Sequence, residues 1–210
     1  MSNISKGEDM QNFPNFDYEQ ELYARGMRCV AGVDEAGRGP LAGDVYAAAV
    51  ILPRDFAPRG INDSKKLSPQ KREELYDYII ETCVAFGISR ATAAEIDEIN
   101  IRNAAFLAMR RAIENLTIKP DFLLVDGNAF NDCGIPFTTI TKGDCKSLSI
   151  AAASIVAKVS RDRAMVALDE AHPEYGFARH KGYPTKEHYA AILAHGVLAE
   201  HRKSFRLGVN

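Results

Sequence analysis

Val30-Ala31-Gly32-Val33-Asp34-Glu35-Ala36-Gly37-Arg38-Gly39-Pro40-Leu41-Ala42-Gly43 sets two acids at the end of an apolar run, with a glycine-rich turn directly behind them. Val30 to Val33 read as a strand, which Gly37, Gly39 and Pro40 end by supplying permissive or fixed backbone angles. A carboxylate pair at a strand end beside exposed backbone amides suits a hard cation and a phosphate. Adjacent residues on a regular strand face opposite ways. Asp34 and Glu35 therefore share a site only if the strand twists, bulges or ends there.

Downstream, Val45 to Leu52 is a nearly continuous apolar run, the pattern of a strand buried on both faces and paired antiparallel to the first through a hairpin. Gly60 to Leu67 is a polar loop rich in donors. Ser68-Pro69 opens a helix through about Cys83, with Ser68 as cap and Leu75, Ile79 and Val84 among its buried positions. Phe86 to Thr92 alternates like a strand, and a helix or helix pair follows from about Ala94 to Leu116. Asp121 to Asn128 is a second buried strand ending in an acid and a glycine, Asp126-Gly127, and Phe137 to Ile140 is a short strand leading to Gly143-Asp144. From Ser147 to about Ala171 runs the strongest helical pattern, with Ala151, Ala153 and Ala157 small enough for close packing on a sheet. A short helix over about Thr185 to Leu193 precedes an irregular basic end.

Upstream, residues 1–15 read as a flexible tail, and Phe16 to Ala24 as a short helix to which no functional role falls. Residues 16–210 form one α/β domain with a helical extension from about 172, and no internal repeat marks a second. A net charge of -2 argues against coating nucleic acid non-specifically and leaves room for a local basic groove. The four cysteines show no paired short spacing, so neither a zinc site nor a disulfide framework is signalled. Without a leader-like start or about 18 uninterrupted apolar residues, the expectation is a cytoplasmic protein that meets no membrane. Monomer is the default expectation.

Three strand-end sites, Asp34 with Glu35, Asp126 and Asp144, each lie near a glycine where backbone can approach a ligand. A single such acid is more often a turn-former or helix cap. Three together shift the reading, because clustered carboxylates repel one another and divalent cations relieve that repulsion. All-oxygen ligation favours Mg²⁺ or Mn²⁺ over zinc. Two metals so held activate a water and stabilise a leaving oxygen in phosphodiester hydrolysis.

These residues carry a resemblance. With Asn62-Asp63-Ser64-Lys65-Lys66-Leu67, Val125-Asp126-Gly127, Lys142-Gly143-Asp144, Ala151 to Val159 and His180-Lys181-Gly182-Tyr183 in order, the chain from about Phe16 to Phe205 resembles bacterial ribonuclease HII, the type 2 ribonuclease H. The resemblance implies a ribonuclease H-like fold, a central mixed sheet flanked by helices, with a helical C-terminal extension. It implies endonucleolytic cleavage of RNA paired to DNA and of single ribonucleotides embedded in duplex DNA, leaving a 3′-hydroxyl and a 5′-phosphate, and so a role in ribonucleotide removal. Asp34, Glu35, Asp126 and Asp144 match the family's metal-binding acids. Gly37, Arg38 and Gly39 match the tripeptide whose backbone reads the ribose 2′-hydroxyl, the group that distinguishes RNA from DNA. Tyr183 matches the tyrosine that packs on the sugar following the ribonucleotide.

Other positions stay open. Ser64, Lys65 and Lys66 are either phosphate contacts or a solvated loop before a helix. Ser154 and Lys158, one helical turn apart, face the substrate or are a packing residue and a surface charge. The five histidines all fall after residue 171 without metal-ligand spacing and suit turn, cap or phosphate-contact roles. With Arg179, Lys181, Lys186, Arg202, Lys203 and Arg206 they give this end a positive bias suited to covering a duplex backbone. No added N-terminal substrate-binding domain of the type 3 enzymes and no sliding-clamp-binding motif after Phe205 is evident. A general metal nuclease or phosphatase would use the same acids but ignore the sugar, and a hybrid-binding module would not need four of them.

Overall fold

A glycine at position 32 lets a helix lie directly on the central strand: any Cβ there would collide with the backbone of Ser149 and Ile150. A computed structural model of the chain describes residues 13–209. In it β1 (Val30–Ala36), β2 (Val45–Ile51), β3 (Ala85–Ala91), β4 (Phe122–Asp126) and β5 (Phe137–Ile140) form one sheet in the order β3-β2-β1-β4-β5. β1 pairs antiparallel with β2, and β2 with β3, whereas β4 and β5 run parallel to β1. The sheet is mixed, with β1 at the seam between its two halves.

Both faces are covered, which is why β2 is apolar almost throughout. On one face α3 (Ala93–Glu114) packs Ala104, Ala108 and Ala112 against Ala31, Val33 and Val125. Asn100 interrupts α3 with φ 67 and caps its second half by accepting the N–H groups of Arg102 and Asn103, which settles the helix-pair expectation. On the other face α4 (Leu148–Ala171) lays fully buried Ala151, Ala152 and Ala153 against β1 and β2, and α2 (Pro69–Thr82) packs beside it through Leu75 and Ile79. Ser68 caps α2 through the Lys71 N–H. Val84, expected in that core, is instead exposed, because it lies past the helix in the turn where its N–H bonds Ile51 O.

Residues 1–12 of the expected tail lie outside the described residues. Asn15, the last residue of that tail, is fixed: its N–H donates to Lys146 O at 3.1 Å and its carbonyl accepts from Leu148 N at 2.9 Å. Immediately after it, α1 (Asp17–Ala24) supports the start of α4. At the other end, α5 (Phe177–His180), α6 (Lys186–His195) and the irregular segment beyond pack on α4 around Met165, Tyr175, Phe177 and Ile192. No helix among the described residues is long and apolar enough to cross a membrane.

Candidate active site

The sheet register brings the acids together. Val33 is the last residue of β1 paired with β4, opposite Val125, so Asp34 and Asp126 follow side by side one step further. Gly143-Asp144-Cys145 forms a 3-10 turn after β5, and the Gly143 N–H donates to Asp126 Oδ1 at 2.6 Å, tying the third acid to the second. Asp34 and Glu35 do leave β1 on opposite faces. Pairing with β2 stays regular through Ala36, with Asp34 opposite Ala48 on the α4 side and Glu35 opposite Ala47. It is β4 that ends, leaving the flank of β1 open at Glu35.

Electrostatics register the crowding. Burial, then the Glu35 and Asp126 carboxylates, push Asp34 well above the usual carboxylate range, against the Ser154 hydroxyl and the Glu35 N–H that favour its charge. Glu35 is raised by burial, with Arg38 opposing and Asp126 adding. Asp144 is raised by burial, then by Asp126 and Asp63, with Lys65 opposing. Lys65 hangs over the group: burial pulls its ammonium down, but Asp144, Asp34, Asp63 and Asp126 outweigh it and leave the net shift upward. Among the described residues the four acids' one ion pair is Glu35 with Arg38 at 3.4 Å.

That excess of desolvated negative charge, with oxygen donors facing one region, fits a hard divalent cation. No three of the four acids bring ligand atoms all within 4.8 Å of one another; Asp63, Asp144 and Cys145 do. Asp63 was missed as a contributor by sequence reasoning, because an acid beside an asparagine in a polar loop looks like a turn residue. Burial raises the Cys145 thiol, which lies 4.0 Å from Asp63 Oδ2.

Beside the acids lies a cleft of about 270 Å³ lined by Glu35, Gly37, Arg38, Gly39, Ser64, Lys65, Ser154, Lys158, Arg161 and Tyr183. Tyr183, 41% exposed, forms one wall, and its ring edge would lie 3.6 Å from a Cβ on Gly39. Ser64 and Ser154 are buried with their hydroxyls 3.0 Å apart. Either hydroxyl can donate to the other, and the Ser154 hydroxyl also favours the charged form of Asp34. Lys158 holds Asp162 at 2.6 Å, and its ammonium is pulled down by burial. Lys66 is exposed and lies outside the cleft. A larger groove of about 550 Å³ runs on from Lys158 between α2 and α4 past Arg72, Arg163 and Arg179, without a strand-end acid.

The basic C-terminal end departs from expectation in part: Arg179, Lys186, Lys203 and Arg206 are exposed, but others are not. Arg202, His188 and His201 are fully buried and bond protein groups, so they build the site from behind and do not present charge to a duplex. Burial had already been solved locally by carbonyl acceptors, which composition does not show. Arg161 was also missed, although its spacing from Ser154 and Lys158, seven and three residues, puts it on their face of α4.

A family profile described as Ribonuclease HII matches residues 31–207. Ribonuclease HII of Shewanella amazonensis is 54% identical over 94% of this chain and 95% of its own, and that of Geobacillus kaustophilus 56% identical over 90% and 72%. The crystal structure of ribonuclease H2 from Pyrococcus horikoshii OT3 superposes with a TM-score of 0.73 at 27% identity, covering 86% of this chain and 95% of that one. The shared fold, the strand-end acids and the match over nearly the whole sequence place this chain in the ribonuclease HII family, metal-dependent endoribonucleases.

Proposed function

We propose that this protein cleaves the RNA strand of RNA/DNA hybrids, and cuts 5′ of single ribonucleotides embedded in duplex DNA, leaving a 3′-hydroxyl and a 5′-phosphate. The observation that carries the reading is one cleft bounded at the same time by Glu35, the Gly37-Arg38-Gly39 backbone and Tyr183. A sugar seated there meets backbone donors on one side, an aromatic ring on another and the acids where its phosphate would lie.

Asp34, Glu35, Asp126 and Asp144 hold Mg²⁺ or Mn²⁺ in this reading. When bound, the cation supplies a nucleophilic water at neutral pH and charge stabilisation for the departing oxygen. The chain's own residues do the rest. The paired Ser64 and Ser154 hydroxyls favour the charged form of Asp34, and Lys65 draws the phosphate toward the acids. Lys158, already engaged by Asp162, contributes a weaker field, and Lys66 steers from outside the cleft. Arg38 reaches back to Glu35, which leaves backbone groups as the tripeptide's means of reading the ribose. Tyr183 packs on the following sugar, so a ribose at one position and a deoxyribose at the next define the cut.

The test compares a DNA duplex carrying one ribonucleotide with the all-DNA duplex and a continuous RNA/DNA hybrid, in Mg²⁺ and in Mn²⁺. Cutting 5′ of the lone ribonucleotide with DNA untouched is expected; cutting all three alike would reduce the protein to a general nuclease, and cutting none would favour a binding module. Tyr183→Ala is expected to lower junction cleavage roughly tenfold or more with little effect on melting, since an exposed ring contributes little to the core. An equal loss on long hybrids would count against a junction role.

A further inference from the structure

Arg202 is fully buried, and no carboxylate lies within ion-pair distance of it among the described residues. Its donors go to main-chain oxygens instead: Nη2 to Gly37 O at 2.6 Å, Nη1 to Arg38 O at 3.0 Å, and Nε and Nη2 to Gly43 O at 2.9 and 2.7 Å. Two consecutive carbonyls thus converge on one guanidinium. Extended backbone alternates its carbonyls, so the chain turns here, and Gly37 with φ +100 leads into that turn.

The peptide bonds here are trans and planar, which sets each N–H opposite the carbonyl of the residue before it. With the Gly37 and Arg38 carbonyls drawn inward, the N–H groups of Arg38 and Gly39 are turned outward together. Both residues are exposed, both line the cleft, and neither N–H has an acceptor among the described residues. A cation behind the loop also polarises both peptides, strengthening them as donors.

We infer that Arg202 is the positioning residue that aims the Arg38 and Gly39 amides at the ribose 2′-hydroxyl. This rests on the ribose-reading role proposed above for Gly37-Arg38-Gly39. The arginine is itself held firmly: its N–H donates to Leu41 O at 2.8 Å, Gly43 N–H donates to Glu200 O at 2.8 Å, and Asp97 accepts the Lys203 and Ser204 N–H groups. Arg161 closes the loop from the α4 side, donating to Asp44 O and Ala42 O at 3.2 Å and filling the space a Cβ on Gly37 would need. Burial pulls Arg202 down to about 9, which still leaves it a cation at neutral pH. Lysine cannot replace the planar fork, since one ammonium cannot span Gly37, Arg38 and Gly43 in the same geometry.

R202M and R202K are compared with the wild type by three readouts: kcat/KM on the one-ribonucleotide duplex, inhibition of that reaction by the all-DNA duplex, and the rise in melting temperature with Mn²⁺. Expected are a fall in kcat/KM of about tenfold or more for R202M and a smaller one for R202K. The all-DNA inhibition constant should stay within about twofold and the Mn²⁺ shift should persist, because neither uses the ribose. A folded variant with unchanged kcat/KM overturns the inference, as does a fall accompanied by weaker DNA inhibition or a lost Mn²⁺ shift. Should both variants fail to melt cooperatively, amide exchange of the wild type decides: Arg38 and Gly39 amides must exchange freely and be slowed by the ribonucleotide duplex but not by DNA, and amides protected in the free protein overturn the inference. Wild-type cleavage of all-DNA duplex as fast as the ribonucleotide duplex would instead remove the ribose reading itself.

Discussion

Two buried clusters of titratable side chains flank the cleft, and they are built on opposite terms. At the strand ends Asp34, Glu35 and Asp144 are desolvated among like charges that raise all three. Beneath Tyr183, His188 and His201 are equally buried but fully partnered. Leu198 N–H donates to His201 Nδ1 at 2.9 Å, so His201 carries its proton on Nε2; it donates to His188 Nε2 at 3.1 Å, and His188 Nδ1 donates to Tyr183 O at 3.1 Å. His180 stacks on His188 with ring centroids 4.6 Å apart, its Nε2 bonding Tyr175 O. The ring nitrogens of these histidines are satisfied within the protein, whereas the acids keep most of their lone pairs for something that arrives from outside.

The two clusters answer pH with opposite signs. Asp34 has a folded pKa above its unfolded value, so its contribution to stability is present below about 4 and is lost as pH rises through the folded value. His201 is pulled by burial, and then by its histidine neighbour, to about 4. Its unfolded value is near 6.5, so its contribution is present above that pH and is lost as pH falls toward 4.

The largest effect expected comes from breaking the acid side. Asp34→Asn removes a cation ligand and one charge of the repelling group, so cleavage should fall roughly a thousandfold or more. Melting in chelator near neutral pH should rise, since the repulsion is gone, and the stabilisation that Mg²⁺ or Mn²⁺ gives the wild type should shrink. Cleavage assays with thermal melts check both. An Asn variant that melts lower than wild type in chelator would show that the crowding carries no cost.

The same variant sharpens the histidine side by reducing the opposing slope, to which Glu35 and Asp144 still contribute. In Asp34→Asn, stability should decline between pH 6.5 and 4 by up to about 3 kcal/mol from His201, because burial disfavours its charge and a proton on its Nδ1 would face the Leu198 N–H. Adding His201→Gln should lower stability at pH 7 and flatten that decline. Urea unfolding across this pH range measures it, and an unaltered slope would place the acid sensitivity elsewhere.

How much of this was legible in the sequence follows from what each residue's role depends on. Strand ends at Asp34 and Asp126 are marked by local apolar runs and glycines, and local patterns survive folding. The antiparallel pairing of β1 with β2 was legible in the apolar run Val45 to Leu52, whereas the mixed sheet was what the family resemblance implied. Arg202 was read into a positive bias suited to a duplex backbone and His201 as a turn, cap or phosphate contact, because the carbonyls of Gly37, Arg38 and Gly43 that hold Arg202 lie far from it in the chain and the ring of His188 reaches His201 only through the fold. Asp63 was lost for a similar reason, since its neighbour Asp144 arrives only with the turn after β5. Glu35 was legible as a site residue although its regular strand geometry argued against it; the resolution lies in where β4 stops, which the sequence of β1 does not contain.

The smallest effect comes from a residue in the helix to which sequence reasoning gave no role. Glu19 on α1 is fully buried and accepts the Ser147 hydroxyl at 2.6 Å and the Ser149 N–H at 2.9 Å, at the N-terminus of the helix that carries Ser154, Lys158 and Arg161. It is a buried acid like Asp34, but its charge faces helix-end donors and the positive end of the α4 dipole. Glu19→Gln keeps the shape and loses the charge, and should cost about 1 kcal/mol; Glu19→Ala also leaves those donors unpaired and should cost about 2 kcal/mol. Below the melting temperature both variants should retain cleavage within about twofold, because among the described residues Glu19 bonds only Ser147 and Ser149, neither of which lines the cleft. Urea unfolding beside cleavage rates separates the cases: a stability loss with activity kept marks Glu19 as scaffold, while unchanged stability in Glu19→Ala would mean that α4 needs no cap from α1.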